Sequence, residues 1–475
     1  MRKTKIVCTI GPSSDKREVL AAMLRAGMNV ARVNFSHGTH ESHRETIKTF
    51  RTIRDEMGLA AAVLLDTRGP EIRVGNFRNE SENLEIGQEF TLTTRSVEGT
   101  DEIVSVTYGN FPMEVNAGNT ILINDGKIVL KVESTTETDV ICSVIHGGKI
   151  SNHKGINIPN VDLNMPYISE QDRKDILFGV ENDVDYIAAS FVRTAQDVKD
   201  VKKILEANGG DEIKVIAKIE STQGIDNFEE ILNEADGIMV ARGDMGVEVA
   251  YEKLPGIQKQ IIRRCVESGK IVITATQMLE SMITSPIPTR AEITDVANAV
   301  FDGTTAVMLS GETAAGKYPV EAVKTMAKIA EQAEGDEPRL HVMAREYTWH
   351  EMNSSDVTNA VGHAACTLAK DINARAIMAI TKTGYTARRM SKFRPKIKII
   401  GATPYIKTYH QLSLIWGVIP MMSEYRSDVE ELFEHCVKIA QSGGIVDGGD
   451  QVVITAGIPV DVPGNTNIIR ILEAE

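Results

Sequence analysis

Eight short runs of apolar, mostly β-branched residues recur along the chain, each followed by a polar or glycine-containing turn and a helical pattern. Such repetition is typical of parallel βα units. Because the runs are almost wholly apolar, we expect strands that are buried on both faces. The predicted strands span residues 5–10, 28–35, 61–66, 185–192, 213–219, 237–241, 270–276 and 305–310. Eight such α/β units predict a closed TIM (β/α)8 barrel, whose chemistry takes place at the C-terminal ends of the strands.

A long interruption, residues 67–166, separates the third predicted strand from the fourth. It lacks helical periodicity and is rich in alternating Val, Ile and Thr, which indicates an inserted β-barrel-like domain. Its predicted strands span residues 89–94, 102–107, 120–124, 127–133 and 140–146, with a turn at Asn124-Asp125-Gly126. An insertion at the mouth of a barrel can act as a lid.

After the eighth strand, a charged segment at residues 331–337 leads to Ser354 and Ser355, a change in composition typical of a domain boundary. Predicted strands at 376–381, 398–402 and 451–456 then alternate with helices such as 428–440, which indicates an open α/β domain. The expected domains are therefore the barrel at 1–66 and 167–340, the lid at 67–166 and the C-terminal domain at 341–475.

The chain has 475 residues and a formal net charge of -14. No global basic field is available to attract nucleic acid or an anionic membrane, so we expect neither as a partner. The apolar runs are far too short to span a bilayer. The five cysteines are scattered and lack C-x-x-C spacing, which argues against a disulfide framework or structural zinc and favours a reducing cytoplasm.

Charged residues stand where the fifth and sixth predicted strands end. Lys218 and Glu220 are two positions apart, so their side chains point to the same side of the strand. Asp244 follows the sixth strand and brings a second carboxylate to the same rim. Two carboxylates together with substrate oxygens suit Mg²⁺. A structural ion pair is the alternative, since ion-pair networks arrange charges in the same way.

Further polar groups stand at other strand ends. Gly243 and Gly246 allow backbone N–H groups to approach a substrate anion at the start of the next helix. Arg32 and Arg73 can clamp a phosphoryl group through two hydrogen bonds each. Oxygen donors suited to a hard monovalent cation are Asn34, Ser36, Asp66 and the Thr67 carbonyl. Ordinary turn chemistry is the alternative for these loops.

Several motifs of other enzyme classes do not occur. The sequence has no Walker A motif, no dinucleotide fingerprint and no nucleophilic Ser or Cys beside a His. The residues at the rim therefore favour metal-assisted handling of phosphate.

Six segments together resemble the pyruvate kinase family, in the order in which that family carries them. They are residues 5–12 (KIVCTIGP), 34–38 (NFSHG), 65–73 (LDTRGPEIR), 239–244 (MVARGD), 274–279 (TATQML) and 308–313 (MLSGET). The resemblance covers essentially the whole chain. It implies a glycolytic enzyme that transfers the phosphoryl group of phosphoenolpyruvate to ADP, which gives pyruvate and ATP.

The resemblance also implies catalytic roles. Glu220 and Asp244 would hold Mg²⁺ or Mn²⁺, while Lys218, Arg32 and Arg73 would neutralise the phosphoryl group during transfer. Implied substrate contacts are Arg32, Lys218, Gly243, Asp244 and Thr276. Thr276 would lie near the methylene carbon that is protonated, and Ser310 would belong to the same proton relay.

Implied cation and nucleotide sites follow in the same way. The K⁺ ligands would be Asn34, Ser36, Asp66 and Thr67. Glu71 matches the glutamate of K⁺-dependent members, so we expect K⁺ dependence. Nucleotide contacts are implied for Asn34, His37 and Arg73. Thr194 stands where many members carry Lys, so the resemblance does not imply a charged nucleotide contact at that position.

The C-terminal domain resembles the family's regulatory domain. A loop between a strand and a helix matches the family's effector loop, and its implied contacts are Thr381, Lys382, Thr383, Gly384 and Thr386. A sugar phosphate or nucleotide is the expected effector. Residues 422–428 and 457–465 do not match the Trp- and Arg-bearing loop of relatives regulated by fructose 1,6-bisphosphate, so that ligand is not implied. The family resemblance also suggests a homotetramer.

Two other functions fit part of the pattern. A metal-dependent barrel aldolase or lyase acting on pyruvate enolates would share the Mg²⁺ and carboxylate chemistry but would not need ADP. A non-catalytic sensor of sugar phosphates would bind them through the C-terminal domain. The presence of Lys218, Glu220 and Asp244 argues against this function, because a sensor would not need them.

Overall fold

The first three strands of the chain alternate with two helices. The structure is a computed structural model and describes residues 2–161, 163–340, 357–458 and 464–475. The elements are β1 (Lys5–Thr9), α1 (Arg17–Ala26), β2 (Val30–Asn34), α2 (His40–Glu56) and β3 (Ala62–Asp66). Gly27 ends α1 with a φ of 116°, a conformation that favours glycine; its N–H donates to the Leu24 carbonyl, and the Met28 N–H donates to the Met23 carbonyl. The chain can therefore turn directly into β2.

The segment after β3 forms a separate β structure. Its elements are β4 (Ile72–Arg73), β5 (Ser81–Leu84), β6 (Glu89–Thr93), β7 (Ile103–Ser105), α3 (Phe111–Glu114), β8 (Thr120–Ile123), β9 (Ile128–Thr135), β10 (Asp139–His146), β11 (Gly148–Ser151) and β12 (Gly155–Asn157). Seven strands form one sheet in the order β4-β12-β8-β9-β10-β6-β7, and β11 pairs with β5. A bridge between Val74 and Val106 links the two edges of the sheet, which gives it a barrel-like form.

The predicted turn at Asn124-Asp125-Gly126 is confirmed. All three residues have positive φ, from 57° to 76°, and they connect β8 to β9. The five predicted strands of the insertion are also confirmed, whereas β4, β5, β11 and β12 were not predicted. These four strands have two to four residues each, too few for an alternating pattern to be recognised.

The remaining barrel strands alternate with helices. The elements are α4 (Glu170–Glu181), β13 (Tyr186–Ala189), α5 (Ala195–Ala207), β14 (Lys214–Ile219), α6 (Thr222–Asp226), α7 (Phe228–Glu234), β15 (Gly237–Ala241), α8 (Arg242–Glu248), α9 (Leu254–Ser268), β16 (Ile271–Ala275), α10 (Arg290–Phe301), β17 (Ala306–Leu309), α11 (Gly311–Ala314) and α12 (Pro319–Leu340). The eight parallel strands close in the order β1-β17-β16-β15-β14-β13-β3-β2, which confirms the predicted barrel.

The barrel has two hydrophobic layers. Its interior is filled by inward-facing side chains that include Val7, Leu64, Tyr186 and Met239. A larger core lies between the outer faces of the strands and the surrounding helices. All eight C-terminal strand ends therefore meet at one rim, which brings together residues that are far apart in sequence.

The C-terminal part contains an open sheet with helices. Its elements are α13 (Val357–Asp371), β18 (Ala376–Ile380), α14 (Tyr385–Lys392), β19 (Lys398–Thr403), α15 (Ile406–Gln411), β20 (Val418–Met422), α16 (Val429–Ser442), β21 (Gln451–Gly457) and β22 (Thr466–Glu473). The strand order is β20-β19-β18-β21-β22, with β22 antiparallel to β21. The charged segment 331–337 belongs to α12, while Ser354 and Ser355 lie outside the described residues.

No helix in the described part of the chain is both long enough and apolar enough to cross a membrane. All five cysteines are free thiols, and four of them are buried.

Candidate active site

A cavity of about 790 Å³ lies between the rim of the barrel and the inserted β structure. His37 and Asp244 line it from the barrel, and Arg73 and His153 line it from the insertion. Asn124 and Asp125, at the predicted turn, also line it. The cavity therefore lies where the predicted catalytic rim and the predicted lid meet.

Lys218 is the centre of a buried network at this rim. Its Nζ lies 3.1 Å from Glu220 Oε1 and 3.1 Å from Asp66 Oδ1, and it donates to Ser190 Oγ at 2.7 Å. Burial alone would lower the pKa of Lys218, but Asp66 and Glu220 outweigh it and raise this pKa above its ordinary value. Lys218 is therefore a fixed cation.

Glu220 and Asp244 lie beside this lysine, close enough for each to shift the pKa of the other. The pKa of Glu220 is raised to about 7, mainly by burial and also by Asp244, against the opposing effect of Lys218. Burial also raises the pKa of Asp244. A buried carboxylate and a partly buried one, both with raised pKa values, form a place where a divalent cation is electrostatically favoured.

The two carboxylates fit Mg²⁺ better than a metal that needs a full protein cage. Among the residues that the structure describes, no group of three or more His, Cys, Asp or Glu side chains could hold a metal ion. Mg²⁺ is commonly bound by one or two carboxylates, with waters and substrate oxygens completing its shell. The donor set at Glu220 and Asp244 matches this pattern.

Arg32 is held next to this network by Asp66. Its Nε donates to Asp66 Oδ2 at 2.5 Å and its Nη1 donates to Thr9 Oγ1 at 2.8 Å. Burial would raise the pKa of Asp66, but Arg32 and Lys218 outweigh it, so this pKa is lowered and the carboxylate is charged. Arg32 is thus oriented before any substrate arrives.

The predicted K⁺ ligands come from two adjacent strands. Asn34 of β2 lies opposite Asp66 of β3 in the register, and Asn34 Oδ1 accepts a hydrogen bond from the Ser36 N–H at 3.2 Å. The Thr67 carbonyl accepts from Ser190 Oγ at 2.6 Å. These oxygens lie in one region, although both carboxylate oxygens of Asp66 already accept hydrogen bonds from Arg32, Lys218 and Ser190.

Thr276 lies at the end of β16 in a strained conformation. Its φ is 66°, which is uncommon for a β-branched residue. Its Oγ1 donates to the Ala275 carbonyl at 2.7 Å and accepts from the Gly243 N–H at 2.8 Å. The Gly243 N–H, which we expected to face a substrate anion, is therefore occupied by Thr276 in this structure.

Arg73 lies on the wall of the cavity, whereas Ser310 lies at the start of a helix. Arg73 is paired with Glu71 and donates through Nη1 to the His153 carbonyl at 2.8 Å, so it is fixed on the wall of the cavity. Ser310 occupies the N-cap position of α11 without a side-chain cap hydrogen bond, and its N–H donates to Glu312 Oε2 at 2.7 Å. The contacts of Ser310 are those of a helix start and give no separate support for a role in proton transfer.

Ser190 and Arg242 are among the residues of the site that were not predicted. Ser190 bonds to Lys218 and to the Thr67 carbonyl, but a single serine inside an apolar run gives no sequence pattern. Arg242 is buried and donates to the carbonyls of Ala275 and Thr276 and to Asp295. Sequence reasoning gave Arg242 no role, although an arginine directly after a buried strand was a usable signal.

Comparison with known proteins identifies the family. Residues 1–323 match the family model described as "Pyruvate kinase, barrel domain", and residues 359–472 match "Pyruvate kinase, alpha/beta domain". The chain belongs to the pyruvate kinase family.

Individual relatives agree with this assignment. A pyruvate kinase of Clostridium perfringens (strain 13 / Type A) is 45% identical over 472 residues, covering 99% of each chain. One from Staphylococcus haemolyticus is 47% identical over 473 residues, covering 99% of this chain and 80% of the relative. The crystal structure of a pyruvate kinase from Cryptosporidium parvum superimposes with a TM-score of 0.93 at 38% identity, covering 100% of this chain and 96% of the other.

In this pyruvate kinase family member, the predicted effector loop lies at the start of α14. Gly384 has a φ of 78° and begins the helix, and a small cavity beside it is lined by Thr381, Lys382, Thr383 and Thr386. The Thr386 hydroxyl is within 2.8 Å of the Thr466 hydroxyl, so it already has a partner. The loop residues are thus brought together, with Thr386 least available to a ligand.

Thr194 has a structural role. It is the N-cap of α5, where its side chain accepts from the Asp197 N–H and the Asp197 side chain accepts from the Thr194 N–H. This reciprocal pair is a capping box, which stabilises the first turn of a helix.

Proposed function

We propose that the chain transfers the phosphoryl group of phosphoenolpyruvate to ADP, producing pyruvate and ATP. The observation that carries the proposal is the convergence of Lys218, Glu220 and Asp244 at one end of the barrel, in a chain of the pyruvate kinase family. In this reaction an ADP phosphate oxygen attacks phosphorus, the bond from phosphorus to the enol oxygen breaks, and the electron pair stays on the enolate. The enolate carbon then takes a proton.

The residues would divide this work among them. Lys218, Arg32 and Arg73 would neutralise charge on the phosphoryl oxygens, which is the main lever a protein has in a loose transition state. Glu220 and Asp244 would hold Mg²⁺ or Mn²⁺, which when bound would supply a Lewis-acid charge that stabilises the negative charge developed during transfer.

The enolate side of the site would depend on Thr276. Its hydroxyl lies against Gly243 next to Asp244, so we place it in the relay that protonates the methylene carbon. Ser310 stays a prediction for the same relay. For Gly243 to contact the substrate, its N–H would have to release the Thr276 hydroxyl and donate to the substrate instead.

Three further assignments complete the proposal. Asn34, Ser36, Asp66 and Thr67 would bind K⁺, with Glu71 favouring K⁺ dependence. Asn34, His37 and Arg73 would contact ADP, and the insertion at residues 67–166 would close over it and exclude water.

A phosphorylated effector would bind at Thr381, Lys382, Thr383 and Gly384, with Thr386 beside it. A homotetramer and a cytoplasmic location stay predictions.

One assay tests the proposal and separates its alternatives. Purified protein is given phosphoenolpyruvate, ADP, Mg²⁺ and K⁺, and pyruvate is read through lactate dehydrogenase; the same mixture without ADP is the control. ADP-dependent release of pyruvate is the expected result. Turnover of a pyruvate adduct without ADP would favour a lyase, and no turnover of either kind would favour a sensor.

A further inference from the structure

Ser190 connects the catalytic lysine to the neighbouring strand end. It follows β13 directly and is 1% exposed. Its Oγ accepts from Lys218 Nζ at 2.7 Å, and its one proton faces two acceptors, the Thr67 carbonyl at 2.6 Å and Asp66 Oδ1 at 3.1 Å. Because both acceptors belong to residues 66 and 67, the single hydroxyl proton points toward the end of β3 and a lone pair is left for Lys218. Ser190 therefore sets the position of one of the three hydrogen bonds that the ammonium group can donate.

The opposite end of β13 is held by the C-terminal part of the chain. Tyr186, the first residue of the strand, donates its hydroxyl proton to the Gln411 carbonyl at 2.6 Å. The Gln411 side chain donates to the carbonyls of Asp185 at 3.1 Å and Glu212 at 2.8 Å. Two of these hydrogen bonds are buried and the third is partly buried, so together they hold the start of β13 in place.

Two more contacts strengthen the same joint. Leu414, which follows α15, is fully buried and packs inside the barrel in the same cluster as Tyr186 and Leu64. Lys407 Nζ donates to the Val184 carbonyl at 2.6 Å and to the Asp183 carbonyl at 2.9 Å. Residues 407–414 thus close the N-terminal end of the barrel directly below β13.

A strand transmits displacement along its length. Bond lengths and planar peptides leave an extended strand little room to stretch. Tyr186 and Ser190 are four positions apart, which corresponds to roughly 13 Å along a strand. A shift of Tyr186 along the barrel axis therefore moves Ser190, and with it the hydrogen bond to Lys218.

We propose that Tyr186 and Ser190 are positioning residues at the two ends of β13, through which residues 407–414 set the position of the Lys218 ammonium group. The inference rests on the proposed catalytic role of Lys218. It assigns a function in catalysis to contacts that lie on the far side of the barrel from the chemistry.

A double-mutant cycle tests the proposal. Ser190→Ala removes the hydroxyl that orients Lys218, and we expect kcat to fall about tenfold, as when a charged group loses a hydrogen-bond partner. Tyr186→Phe keeps the ring in the barrel core and removes only the bond to Gln411, and we expect a fall of about threefold. Effects of substitutions more than about 7–10 Å apart normally combine independently. We instead expect the double variant to match Ser190→Ala alone, because both changes act on the same hydrogen bond.

Ser413→Ala is the matched control. Ser413 Oγ donates to the Asn29 carbonyl at 3.1 Å, so this change removes a hydrogen bond between the same segment and a loop before β2. In the double variant of Ser413→Ala and Ser190→Ala, the fold-decrease in kcat should equal the product of the two single fold-decreases. If Tyr186→Phe does not fold, Gln411→Met takes its place, since it removes both bonds from the Gln411 amide while keeping an apolar stem.

The outcomes are distinct. Independent multiplication of the Tyr186→Phe and Ser190→Ala effects, or a wild-type kcat in Tyr186→Phe, would overturn the positioning role. A wild-type protein that releases no pyruvate in the presence of ADP would instead contradict the proposed function itself.

Discussion

Thr276 is the residue at which the backbone departs most clearly from an ordinary conformation in the proposed site. A β-branched residue at positive φ costs about 1–3 kcal/mol and persists only where its surroundings hold it. Arg242 supplies this support by donating to the Ala275 and Thr276 carbonyls. The strain fixes the Thr276 hydroxyl against the Gly243 N–H, next to Asp244.

Replacement of Thr276 should affect proton transfer more than phosphoryl transfer. In Thr276→Ala the hydroxyl is lost, while Lys218, Glu220 and Asp244 keep their contacts. We expect the enzyme-catalysed exchange of the pyruvate methyl protons with D₂O, followed by NMR, to fall at least about tenfold more than formation of ATP from phosphoenolpyruvate. An equal fall in both rates would remove Thr276 from the proton relay.

Lys218→Met should abolish most turnover while leaving the fold intact. Removal of one preorganised charge from a transition state typically costs about 10²–10³ in kcat. The neighbouring carboxylates can tolerate the loss, because Asp66 keeps Arg32 and loss of Lys218 raises the already elevated pKa of Glu220, which can then hold a proton. Activity by the lactate dehydrogenase assay, with thermal melting as the control for folding, checks this. Near-wild-type activity would exclude Lys218 from the mechanism.

At the scale of helices and strands, length and apolar character decided what could be predicted. The eight barrel strands were found because each is a continuous apolar run buried on both faces. β20 and β22 were missed, since β20 carries Pro420 and β22 carries Arg470 at the edges of the sheet. In the site, charged residues at strand ends were predictable, whereas Ser190 depends on a tertiary contact with Lys218 that no local pattern encodes.

Two glycine substitutions should change stability in opposite directions. Gly27→Ala places a Cβ at a φ of 116° and 3.0 Å from Arg2 Nη2, so we expect a loss of about 1–2 kcal/mol in the free energy of unfolding. Gly335→Ala, within α12, adds a Cβ with no atom within 4 Å, and we expect a gain of up to about 1 kcal/mol. Urea denaturation measures both. A change of the same sign in the free energy of unfolding of both variants would contradict the role of the left-handed backbone at Gly27.

At the scale of the whole molecule, the barrel and the C-terminal sheet are joined through buried polar contacts. Lys5 of β1 donates from Nζ to the Val418 carbonyl of β20 at 2.7 Å. Burial lowers the pKa of Lys5 to about 7. This joint lies at the end of the barrel opposite the proposed active site, beside the segment that holds β13.

Lys5 makes stability depend on pH. Between pH 7 and about 10.4 the unfolded chain holds a proton on Lys5 that the folded chain lacks, so folded stability rises with pH by up to about 1.4 kcal/mol per unit. Below pH 7 both forms are protonated and this contribution is constant. Lys5→Met should lack the rise, so the wild type should gain stability relative to the variant from pH 7 to 10 in urea denaturation. If the free energy of unfolding changed with pH in parallel for the two proteins, Lys5 would not be the source of the rise.

The proposed function depends on one cation pocket formed by Glu220 and Asp244, which follow the neighbouring strands β14 and β15. Mn²⁺ binding, followed by electron paramagnetic resonance, measures this pocket without any need for turnover. We expect one site per chain in the wild type and at least about tenfold weaker binding in both Glu220→Gln and Asp244→Asn, because each variant loses a charged ligand. Unchanged Mn²⁺ affinity in both variants would show that Glu220 and Asp244 do not share a metal ion.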